Sequence, residues 1–356
     1  MGRAAAGRSL ALYQTVSYSV EGTKVVIMVP YQFHYDVLNK DHNPQVVEKA
    51  IDNTYDVSCE VTFLSPDDIQ WLKHYPVVSP DGRYRHSLIL ENRIARYAHI
   101  GGLSAYVQAA HADARRHLRE LAAISLDPLE EIVEPAFDPA YGYPEALHPE
   151  TLKGYFGEII AGYIAENFSP FGISEWCVPA FLFQMHKTAF EQLERLRQTG
   201  GIASRIPGRT GDDCVAFQRD AAGRIRRALA CEAKCTASHD AGLIADAHEK
   251  ISETFAKPTS IPQLIEVLKG RTGDPDAPIW TRALQRLWLQ ERGDPFERCD
   301  MVSYVYGRKP IRDPTWMNTT APHAKYTGGR RLEAVEIHLH DVEGVIRSVY
   351  GMGSAR

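Results

Sequence analysis

Residues 211–236 read GDDCVAFQRDAAGRIRRALACEAKCT, and the pattern of these residues indicates the fold class. It contains two β-compatible runs, at 214–218 and 224–235, on either side of the turn-like segment Arg219-Asp220-Ala221-Ala222-Gly223. Two such runs joined by a short segment with glycine are typical of a β-hairpin. A helix follows, from about Asp240 to Phe255, so the pattern indicates an α/β domain.

This hairpin brings two acidic side chains together. The midpoint between Asp213 and Glu232 falls inside the Ala222-Gly223 turn, so an unbulged hairpin sets the two carboxylates opposite each other. If Asp212 is opposite Glu232 instead, the midpoint falls at Ala222, which is an equally plausible turn, so Asp212 stays open as the alternative ligand. We favour Asp213 because it directly precedes the strand. In Glu232-Ala233-Lys234 the two charged side chains point to the same face of the strand.

Paired carboxylates across neighbouring strands favour binding of Mg²⁺, a hard cation that takes oxygen ligands and keeps several waters; Mn²⁺ is the alternative ion. Lys234 can then orient a water for attack on phosphorus. The competing interpretation is that Glu-x-Lys arises by chance, since both residue types are common.

A further acidic candidate precedes the hairpin. Residues 151–167 have apolar side chains at helical spacing, and Glu158 lies outside that apolar stripe, among small residues that allow a strand or a phosphate backbone to approach. The alternative is a solvated glutamate on a polar helix face.

A helix with Gly157-Glu158, an aspartate at a strand start and a hairpin that ends in Glu-x-Lys together resemble the PD-(D/E)xK nuclease superfamily. Within it, the runs GYFGEIIAGYIAENF, GDDCVAF and CEAKCT are most similar to the HamA-type nucleases of Hachiman anti-phage defence systems. The resemblance covers 155–248. It departs from the superfamily pattern in having no proline before the aspartate, and it does not extend to the N-terminal part of about 150 residues.

The resemblance implies a restriction-endonuclease-like mixed sheet flanked by helices and Mg²⁺-dependent cleavage of DNA. It implies a helicase partner, encoded nearby, that restrains the nuclease. It also implies four catalytic residues, of which the three acidic ones are metal ligands: Glu158, Asp213, Glu232 and Lys234.

Charge and composition add to this interpretation. The 356-residue chain carries 45 acidic and 40 basic side chains, so its net charge of -5 does not by itself indicate a nucleic-acid-binding protein. Its arginines cluster locally, and we expect DNA contacts from Arg209, Arg224 and Arg226, with one or more of the clustered arginines only solvated. A non-catalytic sensor or scaffold on a nuclease fold, and a stand-alone restriction endonuclease, are the alternative functions.

The sequence predicts an α+β N-terminal region at 1–127 with a partner-binding role, a proline-rich connector at 128–150 and the nuclease domain at 151–356. No apolar run is long enough for a membrane helix, and the first residues lack the apolar core of a signal peptide, so we expect a cytoplasmic protein without membrane contact. The predicted elements outside the hairpin are a β-turn-β unit at 15–31, helices at 45–53, 87–123, 178–199 and 342–350, and strands at 55–64, 301–306 and 332–339.

Overall fold

The computed structural model describes residues 17–21, 24–28, 43–55, 58–64, 71–122, 138–185, 187–191, 193, 212–254, 256–289 and 296–352. The chain divides into two compact units, one within 1–73 and 90–103 and the other within 74–89 and 104–356. The predicted boundary at 128–150 lies partly outside the described residues, and of that connector 138–148 form turns that lead into a helix. The division at 128–150 stays a prediction.

The first unit contains a three-stranded sheet, with β1 at Ser17–Glu21, β2 at Lys24–Met28 and β3 at Glu60–Leu64. Strands β1 and β2 pair antiparallel, as the predicted β-turn-β unit requires, and β3 adds to β2 in parallel. The helix α1, Asn43–Tyr55, makes the β2–β3 crossover, which a parallel pair needs. The predicted helix at 45–53 is therefore confirmed.

The second unit is built on a mixed sheet of six strands among the described residues, in the order β4-β5-β9-β8-β7-β6. The hairpin strands β6 and β7 are antiparallel, whereas β7, β8 and β9 are parallel to one another. The strands are β4 at Leu72–Val78, β5 at Tyr84–Glu91, β6 at Cys214–Arg219, β7 at Ile225–Thr236, β8 at Glu297–Tyr306 and β9 at Arg331–His338.

Helices cover both faces of this sheet, which makes the fold α/β. Those on the sheet are α4 at Pro149–Asn167, α5 at Ala241–Ser252, α6 at Ile261–Lys269 and α7 at Ala277–Leu289. The chain also forms α2 at Arg93–Ala110, α3 at Ala112–Ala122 and α8 at Val342–Val349. None of the helices in the described part of the chain is both long and apolar enough to cross a membrane.

Small residues let α4 lie directly on one face of the hairpin. A Cβ added at Gly157 would be 3.1 Å from Cβ of Cys235, and one added at Gly162 would be 3.3 Å from Sγ of Cys214. The opposite face carries Val215 and Phe217, which pack with α6 and α7, while α5 packs over β7 and β8. Because side chains alternate along a strand, α4 and α5 lie on opposite faces of the sheet.

The predicted hairpin is confirmed, and so is its register from the open end to Gln218, but the expectation that it is unbulged is wrong. Cys214 pairs with Cys231 and Gln218 with Arg227, and one irregularity between Gln218 and Arg219 absorbs an extra residue next to the turn. Gly223 has a φ of 74°, in the left-handed region that glycine adopts without strain.

The prediction of helix over 87–123 is wrong at its start, because 84–91 form the strand β5. Polar side chains at buried positions obscure the pattern by which a strand is recognised from sequence. His86 and Ser87 are buried, and each has a carboxylate partner on β9: Nε2 of His86 lies 3.1 Å from Glu336 and the hydroxyl of Ser87 donates to Glu333 at 2.6 Å. Gly101 and Gly102, which the sequence pattern favours as an interruption of this helix, do not break it, since α2 continues through them to Ala110.

The prediction of one long helix at 178–199 is wrong for its first turns. Residues 178–182 belong to neither a helix nor a strand, and a single 3₁₀ turn follows at Phe183–Met185, while 187–191 are helical and 194–199 lie outside the described residues. Cys177, the residue before this segment, pairs with Phe217 of β6 in an antiparallel bridge, which directs the chain along a non-helical path. The backbone N–H of Val178 instead donates to the carboxylate of Glu166 at 2.8 Å.

Candidate active site at the open end of the hairpin

Asp213 and Glu232 face each other at the end of the hairpin opposite the turn, which we call the open end. The N–H of Asp213 donates to the carbonyl of Cys231 at 3.1 Å, and Oδ2 of Asp213 accepts from the N–H of Ala233 at 2.8 Å. The Cys214–Cys231 pair therefore extends by one residue to Asp213 and Glu232. The predicted opposition of the two carboxylates is present in the structure.

Lys234 lies beside Glu232, on the face of β7 that α5 covers. Its Nζ is 3.1 Å from Oε1 of Glu232 and 2.7 Å from Oδ2 of Asp246 on α5. The alternation of a strand places residues 232 and 234 on one face, as the sequence predicts. Asp246 fixes the position of the ammonium from the helix side.

A second lysine, absent from the sequence-based site, lies between the two carboxylates. Nζ of Lys250 is 2.8 Å from each carboxylate oxygen of Glu232 and 3.6 Å from Oδ1 of Asp213. Lys250 follows Asp246 by four residues on α5, a spacing that puts both side chains on the same helix face. That spacing, on the helix after Glu-x-Lys, is the sequence signal that could have identified Lys250.

Burial dominates the electrostatics of this cluster. The side chain of Glu232 is 3% exposed, and burial, followed by the nearby charge of Asp213, raises its pKa to about 7 even though Lys250 and Lys234 act in the opposite direction. Burial acts to lower the pKa of Lys234, but the carboxylates of Glu232 and Asp246 outweigh it and raise that pKa above its ordinary value. The pKa of Lys250 is raised in the same way, against burial, by Asp213 and Glu232.

The donor set of the open end fits Mg²⁺. Two carboxylates already converge on one positive charge, the ammonium of Lys250, so their oxygens surround a position that favours a cation. Among the residues that the structure describes, no group of three or more His, Cys, Asp or Glu side chains is arranged as a metal site. Mg²⁺ is commonly held by one or two carboxylates with waters in its remaining positions, so a pair suffices.

Asp212, the alternative to Asp213, has a different partner. Its buried side chain accepts from Nη2 of Arg298 at 3.4 Å, and Nε of Arg298 donates to Asp300 at 2.9 Å. Asp212 therefore belongs to a buried network of arginine and aspartate. The structure brings Asp213, not Asp212, to Glu232.

Glu158 lies on α4, across the sheet from Glu232 and Lys234. Its neighbour Gly157 contacts the backbone of β7 next to Lys234, and Glu158 itself lies close enough to Cys214 to affect that thiol. The Cys231 hydrogen bond and burial are the main causes that raise the pKa of Cys214, and the negative charge of Glu158 adds to them. The roles of Glu158 in catalysis and metal binding stay predictions.

Of the arginines predicted to bind DNA, Arg209 lies outside the described residues. Arg224 and Arg226 lie at the turn of the hairpin, where Nε of each is 3.0 Å from Oδ2 of Asp220. Arg226 precedes Glu232 by six residues on β7, which corresponds to about 20 Å along a strand. The structure therefore separates these two arginines from the carboxylate pair.

The sequence as a whole matches no protein-family model and no curated protein.

Proposed function

We propose that this chain is a divalent-metal-dependent nuclease that hydrolyses phosphodiester bonds of DNA. The observation that carries the proposal is the convergence of Asp213 and Glu232 on one cation position, with Lys234 beside them. An aspartate at a strand start and Glu-x-Lys on the neighbouring strand make up the pattern of PD-(D/E)xK nucleases. The mixed sheet between α4 and α5 is compatible with a restriction-endonuclease-like fold.

Asp213 and Glu232 would hold Mg²⁺, with waters in its remaining positions. The role of Glu158 as a third ligand stays a prediction, since Glu158 lies across the sheet from Glu232. When bound, the ion supplies Lewis-acid activation of water and neutralises charge on the phosphate. Lys234, which Asp246 holds at 2.7 Å, orients the attacking water and places a positive charge next to the reacting phosphate. The burial of Glu232 strengthens these interactions because little bulk water screens them.

The resemblance to HamA-type nucleases supports a more specific role. In that role the chain is the effector of an anti-phage defence system, and a helicase encoded nearby restrains it until DNA is engaged. Arg209, Arg224 and Arg226 would contact backbone phosphates, which position a nucleic acid without reading its sequence.

One observation favours a second candidate function, a nucleic-acid sensor or scaffold without catalysis. The ammonium of Lys250 lies at the position that a metal ion would take between the carboxylates. If this ammonium stayed there permanently, the open end would be a structural ion-pair cluster, and the chain would act by binding alone.

The test is cleavage of linear, circular and single-stranded DNA in Mg²⁺ or in EDTA, with and without the helicase encoded nearby. We expect the wild-type chain to cleave in Mg²⁺ only and Glu232→Gln to be inactive. The matched control is Glu249→Gln, which removes an exposed carboxylate of α5 that pairs with Lys325. DNA binding by the folded wild type without cleavage in any condition would contradict the proposal and favour the sensor.

A further inference from the structure

The ammonium of Lys250 is the centre of the charged cluster at the open end. It contacts both oxygens of Glu232 at 2.8 Å and approaches Asp213 at 3.6 Å, so it is the cation that the carboxylate pair shares. Two carboxylates that face each other across neighbouring strands repel when both are ionised. A shared cation between them offsets that repulsion.

The two lysines of the cluster differ in how they are held. Lys234 contacts one oxygen of Glu232 and is fixed from the other side by Asp246, and its side chain is 18% exposed. The ion pairs described for Lys250 are with Asp213 and Glu232, the two proposed metal ligands, and its side chain is 37% exposed. The ammonium of Lys250 can therefore turn towards solvent at lower cost than that of Lys234.

We propose that Lys250 is a positioning residue that occupies the cation position between Asp213 and Glu232 when no metal is bound, and leaves that position when a divalent cation enters. The inference rests on the proposed function, because it concerns the same carboxylate pair. An ammonium and a metal ion cannot share one position, so a metal has to displace Lys250. Lys250 thereby keeps Asp213 and Glu232 together in the metal-free protein and raises the metal concentration needed to occupy the site.

The experiment measures Mn²⁺ binding to the full chain by titration calorimetry, without DNA. A displaced charge-assisted hydrogen bond weakens metal binding, so we expect Lys250→Met to bind Mn²⁺ about tenfold more tightly than the wild type. Lys250→Gln, which keeps a polar donor without the charge, is the second variant in case Lys250→Met does not fold. The matched control is Lys325→Met, which removes a positive charge from a partner of α5 away from the carboxylates. We expect its Mn²⁺ affinity to equal that of the wild type.

Thermal unfolding separates this role from a purely structural one. In EDTA the Lys250 variants should melt at a lower temperature than the wild type, because the carboxylates lose their shared cation. Saturating Mn²⁺ should then raise their melting temperature by more than it raises that of the wild type, since ligand binding stabilises the folded state by mass action. Equal losses of melting temperature with and without Mn²⁺ would indicate a structural role and overturn the inference.

The outcomes distinguish failure of the inference from failure of the proposed function. If the wild type binds Mn²⁺, Glu232→Gln does not and the Lys250 variants bind no more tightly than the wild type, the inference is wrong and the metal site stands. If neither the wild type nor any folded variant binds Mn²⁺, the metal site and the inference are both wrong.

Discussion

The two ends of the β6–β7 hairpin each combine carboxylates with cations, yet they differ in what surrounds the charges. At the turn end, Asp220 pairs with Arg224 and Arg226, and Nε of each arginine is 3.0 Å from the same carboxylate oxygen. At the open end, Glu232 pairs with Lys234 and Lys250 at similar distances. The number of cations for each carboxylate is therefore the same.

The pKa values of the two carboxyls nevertheless shift in opposite directions. The backbone N–H of Arg224 is the main cause that lowers the pKa of Asp220, and the arginine side chains add to it. Burial raises the pKa of Glu232 to about 7 despite its two lysines. Burial therefore sets the direction of the shift at Glu232 and a backbone hydrogen bond sets it at Asp220, whereas the number of neighbouring cations is the same. A carboxylate kept buried at such a cost is a candidate for function.

The largest expected difference between the two ends is in cleavage. Asp213→Asn at the open end should reduce Mg²⁺-dependent cleavage by about a thousandfold, because it removes a ligand charge where charge develops on the phosphate. Asp220→Asn, the same substitution at the turn end, should leave the rate within about threefold of the wild type. Single-turnover cleavage with excess protein measures both. Equal losses for the two variants would remove the functional distinction between the ends.

In EDTA, the free energy of unfolding of the metal-free protein should depend on pH through Glu232. The folded state holds the proton of Glu232 more tightly than the unfolded chain, whose ordinary value is 4.5, so raising the pH towards 7 favours unfolding. Relative to Glu232→Gln, the wild type should lose about 3 kcal/mol of unfolding free energy between about pH 4 and pH 8. Urea denaturation at a series of pH values measures this.

In the same experiment, the contribution of Asp220 to the free energy of unfolding should change with pH in the opposite direction. Its pKa is lowered in the folded state, so the stability that the ionised carboxylate contributes is present above its ordinary value of 3.8 and is lost as the pH falls further. Asp220→Asn should therefore approach the wild-type stability only in acid. If the stability difference from the wild type changed with pH in the same direction for Glu232→Gln and Asp220→Asn, burial would not distinguish the two ends.

The third prediction tests how α4 supports the open end. A Cβ at Gly162 would lie 2.6 Å from the ring of Phe181 and 3.3 Å from Sγ of Cys214, the residue after Asp213. Gly162→Ala should therefore cost about 2 kcal/mol of unfolding free energy through overpacking. Gly154→Ala on the same helix meets no atom within 4 Å and should stabilise the protein by about 0.5 kcal/mol. Chemical denaturation distinguishes the two, and equal effects would mean that Phe181 and Cys214 leave room for a methyl group at Gly162.

The smallest effect is expected for DNA binding at the turn end. Arg226 uses Nε for Asp220, and a guanidinium has further N–H donors for a phosphate. Arg226→Gln should weaken DNA binding by about threefold. The slope of log affinity against log salt concentration should become shallower by about the contribution of one phosphate contact, and the cleavage rate at saturating DNA should not change. Fluorescence anisotropy at several salt concentrations measures it, with Lys269→Gln on α6 as the control. An unchanged salt slope would exclude Arg226 from the interface.

The hairpin could be predicted from sequence because its determinants are local. Alternation of side chains, a glycine in the turn and the spacing of Asp213 and Glu232 are all contained in 211–236. By contrast, β5 could not be recognised, since the partners that satisfy its buried His86 and Ser87 lie on β9, far along the chain. Long-range pairing of polar side chains leaves no periodic signal.

The helices α6 and α7 show a second limit of sequence patterns. Neither helix is among the elements predicted from the sequence pattern, and each contains a proline, Pro262 in α6 and Pro278 in α7. Each lies at the second residue of its helix, in the first turn, where the missing N–H has no intrahelical partner to lose. In the site, the positions of Asp213, Glu232 and Lys234 followed from spacing. The spacing of Asp246 and Lys250 could place both side chains on one face of α5, but that this face lies against the carboxylates followed only from the packing of α5 on β7.

The topology of the sheet also sets an order of assembly. The strands β6 and β7 are joined by a short turn, whereas β7 pairs with β8 over a separation of 70 residues, as between Arg227 and Glu297. Short loops close faster and at a lower entropic cost than long ones, so the hairpin can form before its parallel neighbours dock. Asp213 and Glu232 would then meet while still hydrated, and the cost of their desolvation falls on the later docking step. Substitutions at the carboxylates should consequently change the unfolding rate more than the folding rate.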